Sequence, residues 1–161
     1  MKKFFATIAV LFCFLQVSAH ENVAVLAMDF FKALRENEIT HIEKHFIELK
    51  QALPLLPREA RAMTIDEKME AYLIPQQTEF KNSFKEIQTE ISAKEVNTRK
   101  IIFHSYKLDS LKGPLHEDGS IMAMSLYFTY NKKQHVIPIS VVLMEGQWYA
   151  LEILHAKNIF N

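Results

Sequence analysis

Few side chains in this sequence have the type and placement that chemistry requires, and Glu152 is the most informative of them. It lies in the apolar segment 147–155, on the side of a predicted strand that it shares with Trp148. Burying an unpaired carboxylate costs several kcal/mol, so Glu152 must be paired, protonated or open to a wet cavity. In a cavity it could bind a ligand or act as a general base. The alternatives are the open rim of a curved sheet, or a helix arginine that satisfies the carboxylate.

Histidine is the other residue type that could work with Glu152. His135 begins a predicted strand and falls on the same face, so the two would form an acid–base pair if they met. Strand spacing places them several residues apart, beyond hydrogen-bond reach without bending. The sequence therefore offers Glu152 as its one catalytic candidate and favours a non-enzymatic protein.

Two more histidines have the spacing of metal ligands. His41 and His45 lie four residues apart on a predicted helix, so both point to one side. No third ligand is placed by the sequence, and Ile42 stands where a zinc-protease helix has glutamate. A copper site at His20 would depend on where a signal peptide is cut. Solvated surface histidines are the simpler interpretation, and we expect no metal and no cofactor.

The first residues have the layout of a secretory signal peptide. Lysines at 2–3 precede an apolar run over 4–15, and 17–19 supply the small residues of a cleavage site. The run is shorter than the ~18 apolar residues that a membrane span needs. We expect a signal peptide over 1–19 and export to the periplasm or beyond. One domain then covers 20–161, with no stable membrane anchor.

Composition excludes several classes of function. Cys13 is the only cysteine and lies in the signal segment, so no disulfide, thiol nucleophile or thiolate zinc site is expected in the mature chain. Without Lys2 and Lys3, 17 basic residues face 19 acidic ones, and no basic stripe occurs. Nucleic acid is therefore not an expected partner.

The remaining pattern predicts an α+β fold. Apolar residues recur at helical spacing in the first half, and capping boxes stand at Thr40–Glu43 and Thr64–Glu67. Pro75 is expected to break or restart a helix. β-branched and aromatic residues then alternate over four segments with short turns between the last three. Helices are thus predicted at about 23–37, 40–53, 64–73 and 75–93, and strands at about 100–108, 120–130, 134–144 and 147–155. We expect the N-terminal helices to pack on a bent, cone-like antiparallel sheet.

Hairpin register predicts the two faces of this sheet. A two-residue turn at Glu145–Gly146 sets Leu143 opposite Trp148 and Ile139 opposite Glu152. One face is then nearly all apolar and suits the helices, and a cavity there predicts a ligand site. The other face is too apolar for solvent alone, which predicts a second copy, a partner protein or cover by the loop 109–119. The predicted ligand-binding residues are Phe128, Tyr130, Ile137, Trp148 and Glu152, and the predicted interface residues are Tyr127, Tyr149, Leu151 and Ile153.

The chain resembles the nuclear transport factor 2-like superfamily. The resemblance is carried by Phe30-Phe31-Lys32-Ala33-Leu34 at the end of the first helix, and by Leu143-Met144-Glu145-Gly146-Gln147-Trp148-Tyr149-Ala150-Leu151 around the last turn. It implies a cone-shaped cavity between helices and sheet, which members use for catalysis, for ligand binding or not at all. The segment 58–93 is longer and more helical than in the simplest members.

Three functions follow as hypotheses. The first is an exported, non-enzymatic domain that binds a small apolar ligand or a partner protein. The second is an enzyme of the same fold that uses Glu152 as a general base. The third is an inhibitor or assembly subunit that acts through its exposed sheet face.

Overall fold

Helices come first along the chain and a four-stranded antiparallel sheet follows, which confirms the predicted fold class. The computed structural model describes residues 23–110 and 120–161; the predicted signal peptide and residues 111–119 of the predicted loop lie outside them. Helix α1 occupies 23–36, followed by α2 Thr40–Glu43, α3 Leu49–Ala52, α4 Ile65–Lys68 and α5 Ile74–Ala93, with 3₁₀ turns at Leu53–Leu55, Arg58–Ala62 and Thr98–Lys100. The strands are β1 Ile102–Ser110, β2 Ser120–Tyr130, β3 Lys133–Met144 and β4 Gln147–Ile153, in that spatial order.

Local sequence signals set the ends of two helices. α1 stops at Asn37, whose left-handed φ of 58° lets the Glu38 N–H donate to the Ala33 carbonyl at 2.9 Å. α4 starts at the predicted capping box: the Glu67 N–H donates to the Thr64 hydroxyl, and the Glu67 carboxylate accepts from the Thr64 N–H.

Pro75 lies in the first turn of α5, in agreement with a helix restart, but it does not interrupt the helical conformation, which is continuous from Ile65 to Ala93. Proline lacks an N–H and its ring clashes with the carbonyl four residues earlier. A π-helical stretch at Met69–Leu73 lies just ahead of it. This wider turn accommodates the ring, so α4 and α5 form one continuous rod.

The last three strands form the predicted meander. Both turns are two-residue turns with positive φ at each central position: 49° and 66° at Asn131 and Lys132, 50° and 80° at Glu145 and Gly146. This geometry matches the twist of an antiparallel hairpin. It pairs Tyr130 with Lys133 and Leu143 with Trp148.

A bulge in β4 overturns the predicted register beyond Ala150. Val141 pairs with Ala150, but Ser140 pairs with Glu152, so Leu151 is an extra residue in its strand. One extra residue moves every later side chain to the other face. The Leu151 carbonyl also accepts a hydrogen bond from the Gln76 side chain of α5. Glu152 was expected on the apolar face, and that prediction is wrong.

The apolar sheet face packs on the helices as predicted, and we call it the inner face. Phe30 of α1 makes edge-on contacts with Phe80 and Phe84 of α5, at ring distances of 6.4 and 6.0 Å. Sheet side chains complete this core: Met124, Leu126, Phe128, Ile137, Ile139, Val141, Trp148, Ala150 and Ile153. Fully burying a large apolar side chain contributes roughly 1.5–3 kcal/mol.

The opposite, outer face is partly covered by segment 47–73 of the same chain, a cover that the sequence did not indicate. Segment 47–73 packs there as a second apolar cluster, in which Ile47 and Leu73 meet Val142 and Met144. The rod of α4 and α5 therefore lies with one end over each face of the sheet. Within the described residues, no helix is long and apolar enough to cross a membrane.

Candidate functional site

Most predicted ligand-binding residues are part of the filled core. Phe128 and Ile137 are 1% and 0% exposed. Tyr130 is half-buried, and its hydroxyl accepts a hydrogen bond from the Asn97 N–H at 3.2 Å. Trp148 is buried but reaches a surface recess. Glu152 is exposed on the outer face, because of the Leu151 bulge, and so shares no site with the other four.

The predicted interface residues divide between the two faces. The bulge turns Ile153 inward, where it is buried in the core, so its placement on the outer face is wrong. Tyr149 and Leu151 are on the outer face as expected, but they pack against segment 47–73 of the same chain. Tyr127 lies on the outer face and is half-buried.

His41 and His45 do not point to the same side of one helix, as their spacing predicted. α2 ends at Glu43, so the two histidines do not share a helix. Thr40 makes no capping bond, because the chain is already helical at Ile39. His41 pairs with Glu36 at 2.5 Å, whereas His45 turns to Asp29. Tertiary contacts override a four-residue helix, which has little stability alone.

His135 is buried away from Glu152. Its Nδ1 donates to the Ile159 carbonyl at 2.6 Å, and its ring stacks on Phe128 with centroids 5.5 Å apart. It lies on the inner face and Glu152 on the outer face, so the two do not form an acid–base pair.

A carboxylate–imidazole pair is the main polar feature that the fold brings together. Asp29 Oδ2 lies 2.8 Å from His45 Nε2 and 2.9 Å from Lys44 Nζ. The side chains of Asp29 and His45 are only 18% and 13% exposed. Burial would raise the pKa of Asp29, but hydrogen bonds from His45 and Lys44 and their charges hold it below the ordinary value.

Helix and strand together position this pair. Asp29 lies on the flank of α1, next to the buried Phe30. The chain after α2 runs along the edge of β4, where the Ala150 N–H donates to the His45 carbonyl at 2.8 Å. Phe46 forms a parallel bridge with Ala150 and is buried in the core. The backbone of His45 is therefore fixed from both sides.

A recess of about 260 Å³ opens beside this pair, and we call it the Trp148 recess. Its wall combines apolar and hydrogen-bonding side chains, as small-ligand sites do. It is lined by Val25, Lys44, His45, Gln147, Trp148 and Tyr149.

The pair fixes what His45 can offer a ligand. An ionised carboxylate only accepts hydrogen bonds, so Nε2 carries a proton and donates to Asp29. Nδ1 has no hydrogen-bond partner among the described residues. Since His45 lines the recess, its second ring nitrogen is open to a hydrogen bond with a bound molecule.

The sequence held one signal for this site. Asp29 is the only charged residue in the apolar stretch 23–31. Its partner His45 lies sixteen residues later, beyond a helix whose end no pattern marked.

Comparison of the chain with protein-family models, with curated proteins and with solved structures finds no match. Membership of the nuclear transport factor 2-like superfamily therefore stays a prediction. The features that define the protein are its α+β architecture and the polar recess at the edge of β4.

Proposed function

We propose that the protein is an exported binding module, and that the Trp148 recess is its ligand site. The ligand is a small ring molecule, about the size of a monosaccharide or a single heterocycle, with at least one hydrogen-bonding group. The proposal moves the predicted site from a cavity inside the core to the edge of β4.

The observation that carries this proposal is the mixed wall of the recess. Trp148 and Val25 supply apolar surface, and Lys44, His45 and Gln147 supply donors and acceptors around it. A volume of about 260 Å³ is near the lower end of small-molecule sites. The Asp29 carboxylate and the β4 edge hold His45 in place, so binding requires little reordering there.

The enzyme alternative has lost its support. It required Glu152 in an enclosed, water-poor pocket, and Glu152 is exposed on the outer face. His45 lines the recess, but a histidine there without a second catalytic group serves binding equally well. The binding module therefore explains the site with fewer requirements.

Fluorescence tests the proposal directly, because Trp148 is the only tryptophan of the chain. The purified protein is titrated with a panel of monosaccharides and single-ring heterocycles. At least one compound should change the emission of Trp148 saturably. Replacing Gln147 by alanine should weaken the binding of that compound. The matched change Gln134→Ala, at the far end of β3, should leave its binding unchanged.

Two results would contradict the proposal. One is a panel in which no compound changes the emission. The other is binding that survives both Gln147→Ala and Lys44→Gln, which would place the ligand elsewhere.

Assembly through the outer face is a second candidate function. Three exposed apolar side chains lie on the part that segment 47–73 leaves uncovered: Ile102 at 60%, Val136 at 43% and Leu154 at 40%. Tyr127 lies opposite Val136 in the register and extends this surface. Sedimentation velocity tests the idea: a dimer that Val136→Lys dissociates supports it, and a monomer at every concentration removes self-assembly.

A further inference from the structure

A second concave surface includes Asp29 in its lining, together with three basic side chains. It is a groove of about 860 Å³ between α1 and the turn at Thr98–Lys100, and we call it the cationic groove. Lys32, Arg35 and Arg99 line it. None of these three forms an ion pair with another described residue.

The groove lining also carries three carboxylates, and one of them, Asp29, is paired with a lysine from outside the groove. Asp29 accepts from Lys44 and His45. Glu36 pairs with His41 at 2.5 Å. Glu38 is the remaining carboxylate of the lining and has no ion-pair partner among the described residues. Three positive charges therefore face two carboxylates, those of Glu36 and Glu38, that have no permanently charged partner among the described residues, since His41 is charged only when it is protonated.

The three cationic side chains are exposed, and the fold brings them to the lining of one groove. Lys32 and Arg35 are three residues apart on α1, which places them on one helix face. The Arg35 guanidinium lies over the Phe31 ring, 5.9 Å from its centroid. The Thr98 hydroxyl donates to the Arg35 carbonyl at 2.6 Å, which ties the turn carrying Arg99 to the end of α1.

We propose that the cationic groove binds a small molecule with two or more oxyanion groups, either phosphates or carboxylates. Guanidinium groups bind both chemistries through paired hydrogen bonds. Two arginines and a lysine around one concave surface attract a multivalent anion more strongly than isolated surface cations do. The volume fits an organic ligand of moderate size. This proposal does not depend on the ligand of the Trp148 recess.

Calorimetric titration at constant ionic strength tests the proposal with two probes, tripolyphosphate and citrate. At least one should bind saturably, and which one binds tells phosphate from carboxylate chemistry. Arg35→Gln and Arg99→Gln should each weaken binding about tenfold, as expected for a charge-assisted contact. Arg61→Gln is the matched control, because Arg61 is also exposed and unpaired but lies in the Arg58–Ala62 turn, outside the groove lining.

Glu38→Gln should raise the affinity for the anion, a result that a misfolded variant would not give. Removing the unpaired carboxylate should tighten binding of the same anion severalfold. The proposal is overturned if neither probe saturates, if Arg61→Gln weakens binding as much as Arg35→Gln, or if Glu38→Gln fails to tighten it.

Discussion

Glu90 of α5 anchors the segment that follows the sheet, and its removal gives a sharp test of the fold. Its carboxylate accepts hydrogen bonds from the backbone N–H groups of Ile159 and Phe160, both at 2.9 Å. It also pairs with Lys94 at 2.9 Å, and its side chain is 11% exposed. Through this contact Phe160 packs against Phe128, with ring centroids 5.7 Å apart.

We expect Glu90→Ala to lower the free energy of unfolding by about 2–4 kcal/mol. A hydrogen bond to a charged group contributes roughly 1.5–3 kcal/mol, and two N–H donors lose their acceptor. The total stays below the sum because the released segment can reach water. Glu86, one turn earlier on α5, is the control: it pairs with Lys157 at 3.5 Å and is 48% exposed. Glu86→Ala should cost no more than about 1 kcal/mol.

The effect of Glu90 should also depend on pH. Burial would raise its pKa, but Lys94 and the N–H groups of Phe160 and Ile159 hold it below the ordinary 4.5. A carboxylate whose pKa is lowered by folding stabilises the folded state at pH values above its ordinary pKa. That stabilisation is lost as pH falls through the folded pKa. Urea unfolding at neutral pH and in steps below 4.5 measures this. Equal losses in Glu86→Ala and Glu90→Ala, or a Glu90→Ala loss that does not shrink in acid, would refute the reasoning.

Three further predictions test the placement of single residues. Phe128→Ala should cost about 3–5 kcal/mol in urea unfolding, because it empties part of the core, and Tyr127→Ala on the outer face should cost clearly less; equal costs would contradict the two faces. Glu152→Gln should leave the unfolding free energy within about 0.5 kcal/mol of the wild type, and a large loss would mean that its carboxylate is buried after all. Asp29→Asn should destabilise the protein at neutral pH, and the difference from the wild type should begin to shrink near the ordinary pKa of 3.8 and be lost as pH falls through the lower folded pKa; a difference that persists in stronger acid would show that charge is not its cause.

Periodicity was enough to predict most of the fold. The alternation in 120–144 fixes strands and faces, because side chains must alternate and one set is almost wholly apolar. The turn residues at 131–132 and 145–146 fix the register close to each hairpin. Core positions such as Phe128 and Ile137 followed from these two facts alone.

The candidate site was not predictable in the same way. The bulge at Leu151 leaves no local signature, yet it moves Glu152 to the outer face and Ile153 to the core. Bulges depend on partners such as the Gln76 side chain, which lies 75 residues away in the sequence. The pairing of Asp29 with His45 depends likewise on how α1 meets the edge of β4.

The prediction of one helix over 40–53 was wrong for a related reason. Its apolar spacing fits one helix, but the backbone of Phe46 pairs with β4 and divides that helix. Pairing with the edge of the sheet stabilises the fold more than a few additional helical residues would. The periodicity of the sequence indicates which residues are apolar, but it does not show whether a segment continues a helix or pairs with a strand.

Chemical-shift mapping tests the Trp148 recess most directly. Backbone and indole N–H signals are recorded while the most effective ring compound of the fluorescence panel is added. We expect the largest shifts at the Trp148 indole, Val25, His45 and Gln147. Shifts concentrated instead at core residues such as Phe128 and Ile137, or at Tyr127 and Val136 on the outer face, would contradict this expectation.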